Sequence, residues 1–185
     1  MAIKWTKKLV SSLSSLTNIP NPIFIHPRAL SESRANGYQS KSHSTLNKWD
    51  KAHMKTAENY AVLSSAKRAQ VGCVLVKDHR IISIGYNGMP SGWTNECEHT
   101  DEYGFNAKTK PEVLHAETNA IAKVAKSSES AEGATLYTTC APCLDCAKLI
   151  YQSGISRVVY RHDYRDRKGL TFLEQCDILL EQMEK

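Results

Sequence analysis

The chain has 185 residues, of which 41% are hydrophobic and 23% charged, and its formal net charge is +5 at pH 7. This length suffices to bury the core of one ordinary domain, and no apolar run approaches the ~20 residues of a membrane span, so we expect no membrane partner. Six cysteines in a chain this long, without an evident secretory signal, favour reduced thiols and a cytoplasmic location over a disulfide framework.

Positive charge is concentrated at the N-terminal end. Residues 1–44 carry six Lys or Arg and one acidic residue, Glu32, whereas residues 45–185 carry eighteen basic and eighteen acidic residues. Because this larger part is formally neutral, it offers no net attraction to a polyanion, and we expect no stable nucleic-acid partner. The chain therefore divides into a basic, Ser-rich extension over 1–44 and a body over 45–185.

Three interpretations of the extension stay open. Its basic, acid-poor and Ser-rich composition resembles an organelle-targeting peptide. The same composition, interrupted by Pro20, Pro22 and Pro27, is also typical of a flexible tail. The apolar stretch over 23–25 instead suggests a short arm that docks on a neighbouring chain.

The first half of the body predicts one helix and one hairpin. Residues from 46 to about 68 lack Gly and Pro and repeat apolar side chains at helical spacing, which predicts a helix. Apolar runs over 71–76 and 81–86 flank the polar residues 77–80 and predict a β-hairpin. Residues 87–114 are rich in Gly, Asn, Thr and Asp and show little periodicity.

The second half of the body alternates helices with strands. Helices are predicted from 115 to about 126, from 142 to 150 and over 169–176, and strands over 134–139, 157–161 and 177–181. Such alternation implies right-handed crossovers and a partly parallel sheet with helices on its faces. We therefore expect an α/β fold with three layers, α/β/α, around a mixed sheet of about five strands.

Two short motifs carry the chemistry. His115 and Glu117 form an H-x-E pair, and Pro142, Cys143 and Cys146 form P-C-x-x-C, a combination typical of zinc-dependent deaminases of nucleobases. One imidazole and two thiolates leave the fourth position of a tetrahedral zinc ion for water, while a carboxylate off the metal can handle protons. A purely structural zinc site normally has four protein ligands, so the pattern favours catalysis.

Both motifs are expected at helix N-termini. Cys143 and Cys146 lie three apart and share a helix face, with Pro142 as the first helical residue, and the helix dipole favours their thiolates. Residues two apart on a regular helix point to different sides, so His115 is placed at the irregular entry of the helix that carries Glu117. The metal would then lie beside the carboxyl ends of strands, where open α/β sheets place ligands.

Residues 45–183 resemble the deoxycytidylate (dCMP) deaminases of the cytidine-deaminase-like superfamily. The zinc motifs alone mark only the superfamily, but residues 85–90 and the long insertion before His115 favour dCMP deaminases over tRNA adenosine deaminases. The resemblance is carried by Trp49, Asp50 and Met54 and by residues 68–72, 80–90, 115–121 and 142–150.

The resemblance implies hydrolytic deamination of dCMP to dUMP with release of ammonia, which supplies dUMP for dTTP synthesis. In the family one Zn²⁺ per chain, held by residues that match His115, Cys143 and Cys146, acidifies the water that attacks C4 of cytosine. The residue that matches Glu117 transfers protons to ring N3 and then to the departing amine. The backbone N–H that matches Ala116 helps to hold the base carbonyl.

Three further residues are candidate substrate ligands, each with a plainer interpretation. Asn87 matches a family asparagine that holds the sugar, although Asn-Gly after a strand is also typical of a type I′ turn. Arg68 would bring a guanidinium to the 5′-phosphate or else lie at a solvated helix end. Tyr164 resembles a family aromatic that packs against the base, or lies in a solvated loop of alternating charge.

The resemblance also implies regulation and assembly. dCMP deaminases bind dCTP, with Mg²⁺, as an activator and dTTP as an inhibitor, at a site that here includes Tyr86, Asn87, Gly88 and Gly92. The two glycines allow close backbone approach to a nucleotide. Family members are usually hexameric, so we expect a homo-oligomer.

The remaining cysteines are interpreted through packing. Cys140 forms a second C-x-x-C pair with Cys143, but the family usually has an apolar residue there, and we expect a small buried side chain. Cys97 and His99 are candidate ligands of a second zinc, as in some phage members of the family, but two of the four ligands required are too few. Two more cysteines are expected to be structural: Cys73 and Cys176.

Three other functions stay open. A deaminase of bases within tRNA or single-stranded DNA needs a flipped or unpaired base, and the neutral body argues against it. A deaminase of a riboflavin precursor shares the zinc motifs. A non-catalytic, zinc-stabilised binding module would have no need of Glu117.

Overall fold

A computed structural model of the chain describes residues 46–99 and 107–184. Within those ranges no helix is both long and apolar enough to cross a membrane. The extension over 1–44 lies outside the described residues, so its three interpretations and the domain boundary stay predictions.

Four helices and seven strands follow one another along the described residues. Five strands form one sheet in the order β2-β1-β5-β6-β7, and β3 and β4 form a separate antiparallel ribbon. β1 is antiparallel to β2 and β5, whereas β6 is parallel to β5 and β7, which confirms the expected mixed sheet. The elements are α1 (Lys48–Ala61), β1 (Gly72–Lys77), β2 (Arg80–Tyr86), β3 (Glu98–His99), β4 (Lys108–Thr109), α2 (Ala116–Val124), β5 (Thr135–Cys140), α3 (Leu144–Gln152), β6 (Arg157–His162), α4 (Lys168–Gln175) and β7 (Leu179–Gln182).

Different helices cover the two faces of the sheet. Side chains alternate along β1, so that Val74 and Val76 pack with Met54 of α1 on one face. Cys73 and Leu75 point to the opposite face, where they share a core with α2, α3 and α4. Three layers are thereby confirmed, and Cys73 has the packing role expected of it.

Two glycines set how closely the helices approach the sheet. A Cβ at Gly72 would collide with the carbonyl oxygen of Ala57 in α1, and a Cβ at Gly85 with that of Ala116 in α2. The first turn of α2 is therefore seated directly on β2. This contact fixes the position of the residue that precedes the helix, His115.

The first helix is shorter than predicted. It ends at Ala61 instead of near residue 68, although no Gly or Pro stops it. The chain turns away because tertiary hydrogen bonds compete with helix propensity: the Ser64 hydroxyl donates to the carbonyl of Asn87 at 2.7 Å, and the Gln70 amide donates to the carbonyl of Ser64 at 2.7 Å. Residues 62–71 consequently form a loop between α1 and β1.

The two predicted turns of the hairpin region behave differently. Asp78 and His79, with φ of 50° and 61°, form the tight turn between β1 and β2. Asn87 and Gly88 adopt no positive φ, so the type I′ turn interpretation of that pair is wrong. Instead, Gly88 forms an antiparallel bridge with Leu114, which ties the end of β2 to the entry of α2.

Candidate metal-dependent active site

Two of the three predicted metal ligands occupy helix N-cap positions. His115 precedes α2 with φ −74° and ψ 156°, and Cys143 precedes α3 with φ −71° and ψ 170°, both extended. Pro142 therefore lies before the cap and not at the first helical position, which corrects the expected start of that helix. The imidazole of His115 makes no capping bond to α2, whereas the sulfur of Cys143 is hydrogen-bonded both to Cys146 of α3 and to His115.

The three ligand atoms converge. Nδ1 of His115 lies 3.5 Å from Sγ of Cys143 and 3.4 Å from Sγ of Cys146. In a tetrahedral site, Zn–N and Zn–S bonds of about 2.05 and 2.3 Å place nitrogen and sulfur about 3.6 Å apart, so the donors already have the spacing that zinc needs. Within the described ranges no other group of three or more His, Cys, Asp or Glu ligands comes together.

Protons occupy the positions on these ligands that a bound metal ion would take. Hydrogen bonds from Cys146 and His115 lower the pKa of Cys143 to about 4, against the effect of burial. The hydrogen bond to Cys143, together with burial, raises the pKa of Cys146, and the pKa of His115 is raised chiefly by its bond to Cys143. A divalent cation would bind the deprotonated forms of these ligands and release their protons.

Glu117 lies next to this group without joining it. It is the second residue of α2, only 3% of its surface is exposed, and burial raises its pKa. Its Oε2 accepts from the Cys146 thiol at 3.6 Å. A buried carboxyl group with a raised pKa, in reach of the ligands, is suited to taking and releasing a proton.

His115, Cys143 and Cys146 are called the metal group below. A cavity of about 490 Å³ is lined by two of them, His115 and Cys143, and by Glu117. This volume lies within the range of small-molecule sites. Its wall carries four basic side chains, so the cavity favours an anionic ligand. They are Arg68, Lys108, Lys110 and Arg165.

All four predicted substrate residues line this cavity: Asn87, Ala116, Arg68 and Tyr164. Three predicted effector residues, Tyr86, Gly88 and Gly92, lie outside its lining. Tyr86 instead has the Lys123 ammonium 5.6 Å from its ring centre. Gly92, with φ of 88°, is the third residue of a turn closed by a hydrogen bond from Trp93 to Pro90.

Asn87 organises the loop over 64–71. Its Oδ1 accepts from the N–H of Val71 at 2.8 Å, and its Nδ2 donates to the carbonyl of Ala69 at 2.8 Å. Its backbone N–H and carbonyl bond to the same loop, at Val71 and Ser64. One amide hydrogen of Nδ2 stays available for a ligand. No pattern in the sequence indicates this structural role.

Arg68 and Tyr164 both make contacts within the chain, while their roles toward a substrate stay predictions. Arg68 is not at a helix end, since α1 stops at Ala61, and its Nη1 donates to Oγ1 of Thr109 at 3.1 Å. Tyr164 is half-buried against a small apolar cluster that includes Tyr160, and the guanidinium of Arg165 lies 5.6 Å from its ring centre. Neither side chain is merely solvated.

The other cysteines stay outside the metal group. Cys140 is half-buried and lines the cavity, where burial raises its pKa to about 11, so the expected fully buried side chain is only partly correct. Cys97 is buried against Ala66 and Val113 and His99 is exposed, so neither belongs to a ligand group within the described ranges. Cys176 is half-buried at the end of α4.

Several cavity residues were missed by the sequence analysis. Glu98 and the basic residues Lys108 and Lys110 come from the aperiodic segment before α2, and Arg165 follows β6. Aperiodic segments offer no face to predict. The one available signal was the alternation of Lys108, Thr109 and Lys110, which on a strand places two ammonium groups on one side.

Comparisons with known proteins agree with this geometry. Residues 47–162 match the family described as the cytidine and deoxycytidylate deaminase zinc-binding region. The chain is 36% identical over 142 residues to deoxycytidylate deaminase of Saccharomyces cerevisiae, covering 72% of this chain but only 44% of the yeast protein. It is 38% identical over 128 residues to the human deoxycytidylate deaminase, covering 66% of this chain and 70% of the human protein.

Solved structures point the same way. The dCMP deaminase of cyanophage S-TIM5, in complex with dCMP and dUMP, has a TM-score of 0.67 and 47% sequence identity, covering 72% of this chain and 95% of the phage chain. A Thermotoga maritima diaminohydroxyphosphoribosylaminopyrimidine deaminase/reductase is more distant, at 28% identity and a TM-score of 0.55, and this chain covers 36% of it.

Proposed function

Because this chain belongs to the cytidine and deoxycytidylate deaminase zinc-binding family, we propose that it catalyses the zinc-dependent deamination of dCMP to dUMP with release of ammonia, and so supplies dUMP for dTTP synthesis. The observation that carries the proposal is the His/Cys/Cys group at tetrahedral spacing beside a buried glutamate, in a cavity with a basic wall. The 47% identity to a phage dCMP deaminase supports the choice of dCMP as substrate.

Each residue of the site has a chemical task in this reaction. His115 Nδ1 and the sulfurs of Cys143 and Cys146 hold the zinc ion, which when bound supplies a Lewis acid that acidifies water. Glu117 would take both protons of the attacking water and pass one to N3 of the ring and the other to the departing amine, as the C4–O bond to the water oxygen forms and the C4–N bond breaks. Its raised pKa suits both directions of proton transfer.

Four contacts orient the nucleotide. The N–H of Ala116, in the first turn of α2, has no intrahelical acceptor and holds the base carbonyl. The free amide hydrogen of Asn87 binds the sugar, and the ring of Tyr164 packs against the base. Arg68 receives the 5′-phosphate, for which a guanidinium fork is well suited.

Regulation is proposed at a site that shares Asn87 with the substrate cavity. dCTP with Mg²⁺ activates and dTTP inhibits by binding along Tyr86, Asn87, Gly88 and Gly92. In support, a Cβ at Gly88 or Gly92 would meet no atom within 4 Å, so a nucleotide can approach both backbones. The protein acts as a homo-oligomer, a hexamer by family resemblance, in the cytoplasm.

Ammonia release and the ultraviolet change on deamination test the substrate directly. Zinc-loaded protein is assayed with dCMP, CMP, deoxycytidine, a short cytosine-containing oligonucleotide and a pyrimidine precursor of riboflavin. We expect turnover of dCMP above all others, with one zinc per chain. An inert dCMP with zinc bound would overturn the proposal and favour whichever alternative substrate is consumed.

The dCMP saturation curve tests regulation. Activation by dCTP with Mg²⁺ and inhibition by dTTP are expected to shift its midpoint in opposite directions. A hyperbolic curve that neither nucleotide moves would contradict the effector site without affecting the proposed reaction. Light scattering on the same samples measures the oligomeric state.

A further inference from the structure

The ribbon formed by β3 and β4 holds the loop that carries Arg68. One carboxylate oxygen of Glu98 accepts from two successive backbone N–H groups, those of Lys67 at 3.0 Å and Arg68 at 3.3 Å. Thr109 Oγ1 accepts from Nη1 of Arg68 at 3.1 Å. Glu98 and Thr109 are direct cross-strand partners in the ribbon, so Arg68 is held at its backbone and at its guanidinium by one pair of residues.

The ribbon and the loop are joined by packing as well. Cys97, next to Glu98, is 1% exposed and packs against Ala66 of the loop and Val113. The N–H of Lys110 donates to the carbonyl of Cys97 at 2.9 Å, which extends the pairing of the ribbon. From the other side, Asn87 bonds to the same loop. The loop that carries Arg68 is thus held on one side by the ribbon and on the other by Asn87.

From this arrangement we infer that Glu98 and Thr109 are positioning residues that orient Arg68 toward the 5′-phosphate, so that the ribbon sets the preference for a nucleotide over a nucleoside. The inference rests on the proposed function, and it assigns to the ribbon a role in specificity that is separate from the chemistry at zinc. An arginine side chain loses much rotamer freedom when it binds, so holding it beforehand strengthens its contact with the ligand.

Because Glu98 is negatively charged, the direction in which its removal changes dCMP binding tests the inference. Its carboxylate lines the cavity and has the same charge as a phosphate, so by direct electrostatics its removal would strengthen binding of dCMP. Its role through Arg68 predicts the opposite, because two backbone N–H groups and the side chain of Arg68 would lose their orientation. A carboxylate that accepts two N–H bonds is well suited to a positioning duty.

Steady-state kinetics on zinc-loaded full-length protein separates these effects. For Glu98→Ala and Thr109→Val we expect KM for dCMP to rise roughly tenfold, the size of one weakened charge-assisted hydrogen bond, with kcat nearly unchanged. kcat/KM for deoxycytidine, which has no phosphate, should stay at the wild-type value. Glu98→Gln keeps an oxygen acceptor and should restore most of the loss. Glu129→Gln, which changes a surface partner of Arg80, is the matched control.

The Arg68→Ala background supplies the decisive comparison. If Glu98 acts through Arg68, then Glu98→Ala adds nothing to the KM of that variant. A lower KM for dCMP in Glu98→Ala, an equal loss with deoxycytidine, or an additive effect in the Arg68→Ala background would each overturn the inference. If the wild-type protein turns over dCMP while one of these results is found, the inference about Glu98 and Thr109 fails but the proposed function stands. Wild-type protein inert toward dCMP would overturn both.

Discussion

Two buried carboxylates on opposite sides of the sheet have opposite surroundings. Asp50 of α1 and Glu117 of α2 are 2% and 3% exposed. Burial tends to raise the pKa of both, yet the pKa of Asp50 is lowered by hydrogen bonds from Arg157, the N–H of Asn47 and Tyr137, while the pKa of Glu117 is raised. The difference lies in how many donors the chain itself supplies.

Asp50 is fully satisfied from within the chain. Its Oδ1 accepts from Tyr137 at 2.8 Å and Arg157 at 2.7 Å, and its Oδ2 accepts from the N–H of Asn47 at 2.8 Å. Arg157 also pairs with Glu181, so the network connects α1 with three strands. For Glu117, the one donor among the described side chains is the Cys146 thiol. Complete internal pairing marks a structural charge, and incomplete pairing leaves a charge available for a ligand.

The largest effect is expected from changing the carboxylate with few donors. Glu117→Gln removes the proton carrier and should lower kcat by about 10²- to 10⁴-fold. Since Glu117 lies outside the ligand group, zinc content should stay at the wild-type level. Metal analysis beside the activity assay checks this, and loss of zinc would mean that the carboxylate of Glu117 is a metal ligand.

Changing Asp50 should damage folding instead of catalysis. Asp50→Asn leaves Arg157 partly buried with one partner fewer, and we expect unfolding free energy to fall by about 3–5 kcal/mol, measured by urea denaturation of the zinc-loaded protein. The control is Glu129→Gln at the exposed pair with Arg80, for which a loss of about 0–1 kcal/mol is expected. A large drop in kcat at unchanged stability would refute the structural role.

Substitutions at two glycines, one against each face of the sheet, should differ in their effect on zinc binding. Gly72→Ala pushes against α1 and Gly85→Ala against Ala116 at the start of α2, and each should cost about 1–3 kcal/mol of stability through overpacking. Only Gly85→Ala displaces the residue next to His115, so only that variant should bind zinc more weakly. Chelator competition measures the metal affinity of both. Equal affinities would show that the seat of α2 on β2 does not position the site.

A smaller effect is expected from acid pH, which should remove the contribution of Asp50 to the free energy of unfolding. Because the folded-state pKa of Asp50 lies below its ordinary value of about 3.9, its stabilisation is complete above that pH and is lost as pH falls toward the folded-state pKa. The stability difference between wild type and Asp50→Asn should thus be constant near neutrality and shrink below pH 4, by at most about 1.4 kcal/mol per pH unit. A constant difference down to pH 2 would contradict the lowered pKa.

The His/Cys/Cys group and the alternation of helices and strands were predictable because their signals are local. Ligand types at fixed spacing and alternating apolar residues depend only on neighbours in the chain. The partners of Asp50 are not predictable in this way, since Arg157 lies 107 positions away. The ribbon is similar: Glu98 and Thr109 meet Arg68 across 30 and 41 positions, and no periodicity marks them.

Errors in the predicted elements have the same origin. The pattern over 46–68 is helical by propensity, and what ends α1 at Ala61 is the bond between Ser64 and Asn87, 23 positions apart. Local preference is worth a few tenths of a kcal/mol per residue, less than one buried tertiary hydrogen bond. Sequence reasoning therefore finds the His/Cys/Cys group and the predicted substrate residues, but not the long-range contacts that hold the loop of Arg68 in place.

Removing residues 1–44 should have the smallest effect on the reaction. Both buried carboxylates, the three metal ligands and the cavity lie within residues 46–184, so we expect kcat and KM for dCMP to change by less than about twofold, within the range of substitutions away from a site. The deletion removes six basic residues and one acidic residue, which takes the formal net charge from +5 to zero. Salt-dependent adsorption to an oligonucleotide should therefore disappear while turnover persists. Loss of the oligomer or of turnover would instead assign the apolar stretch over 23–25 to a docking arm. The extension would then contribute to assembly or catalysis, and not only to the net charge.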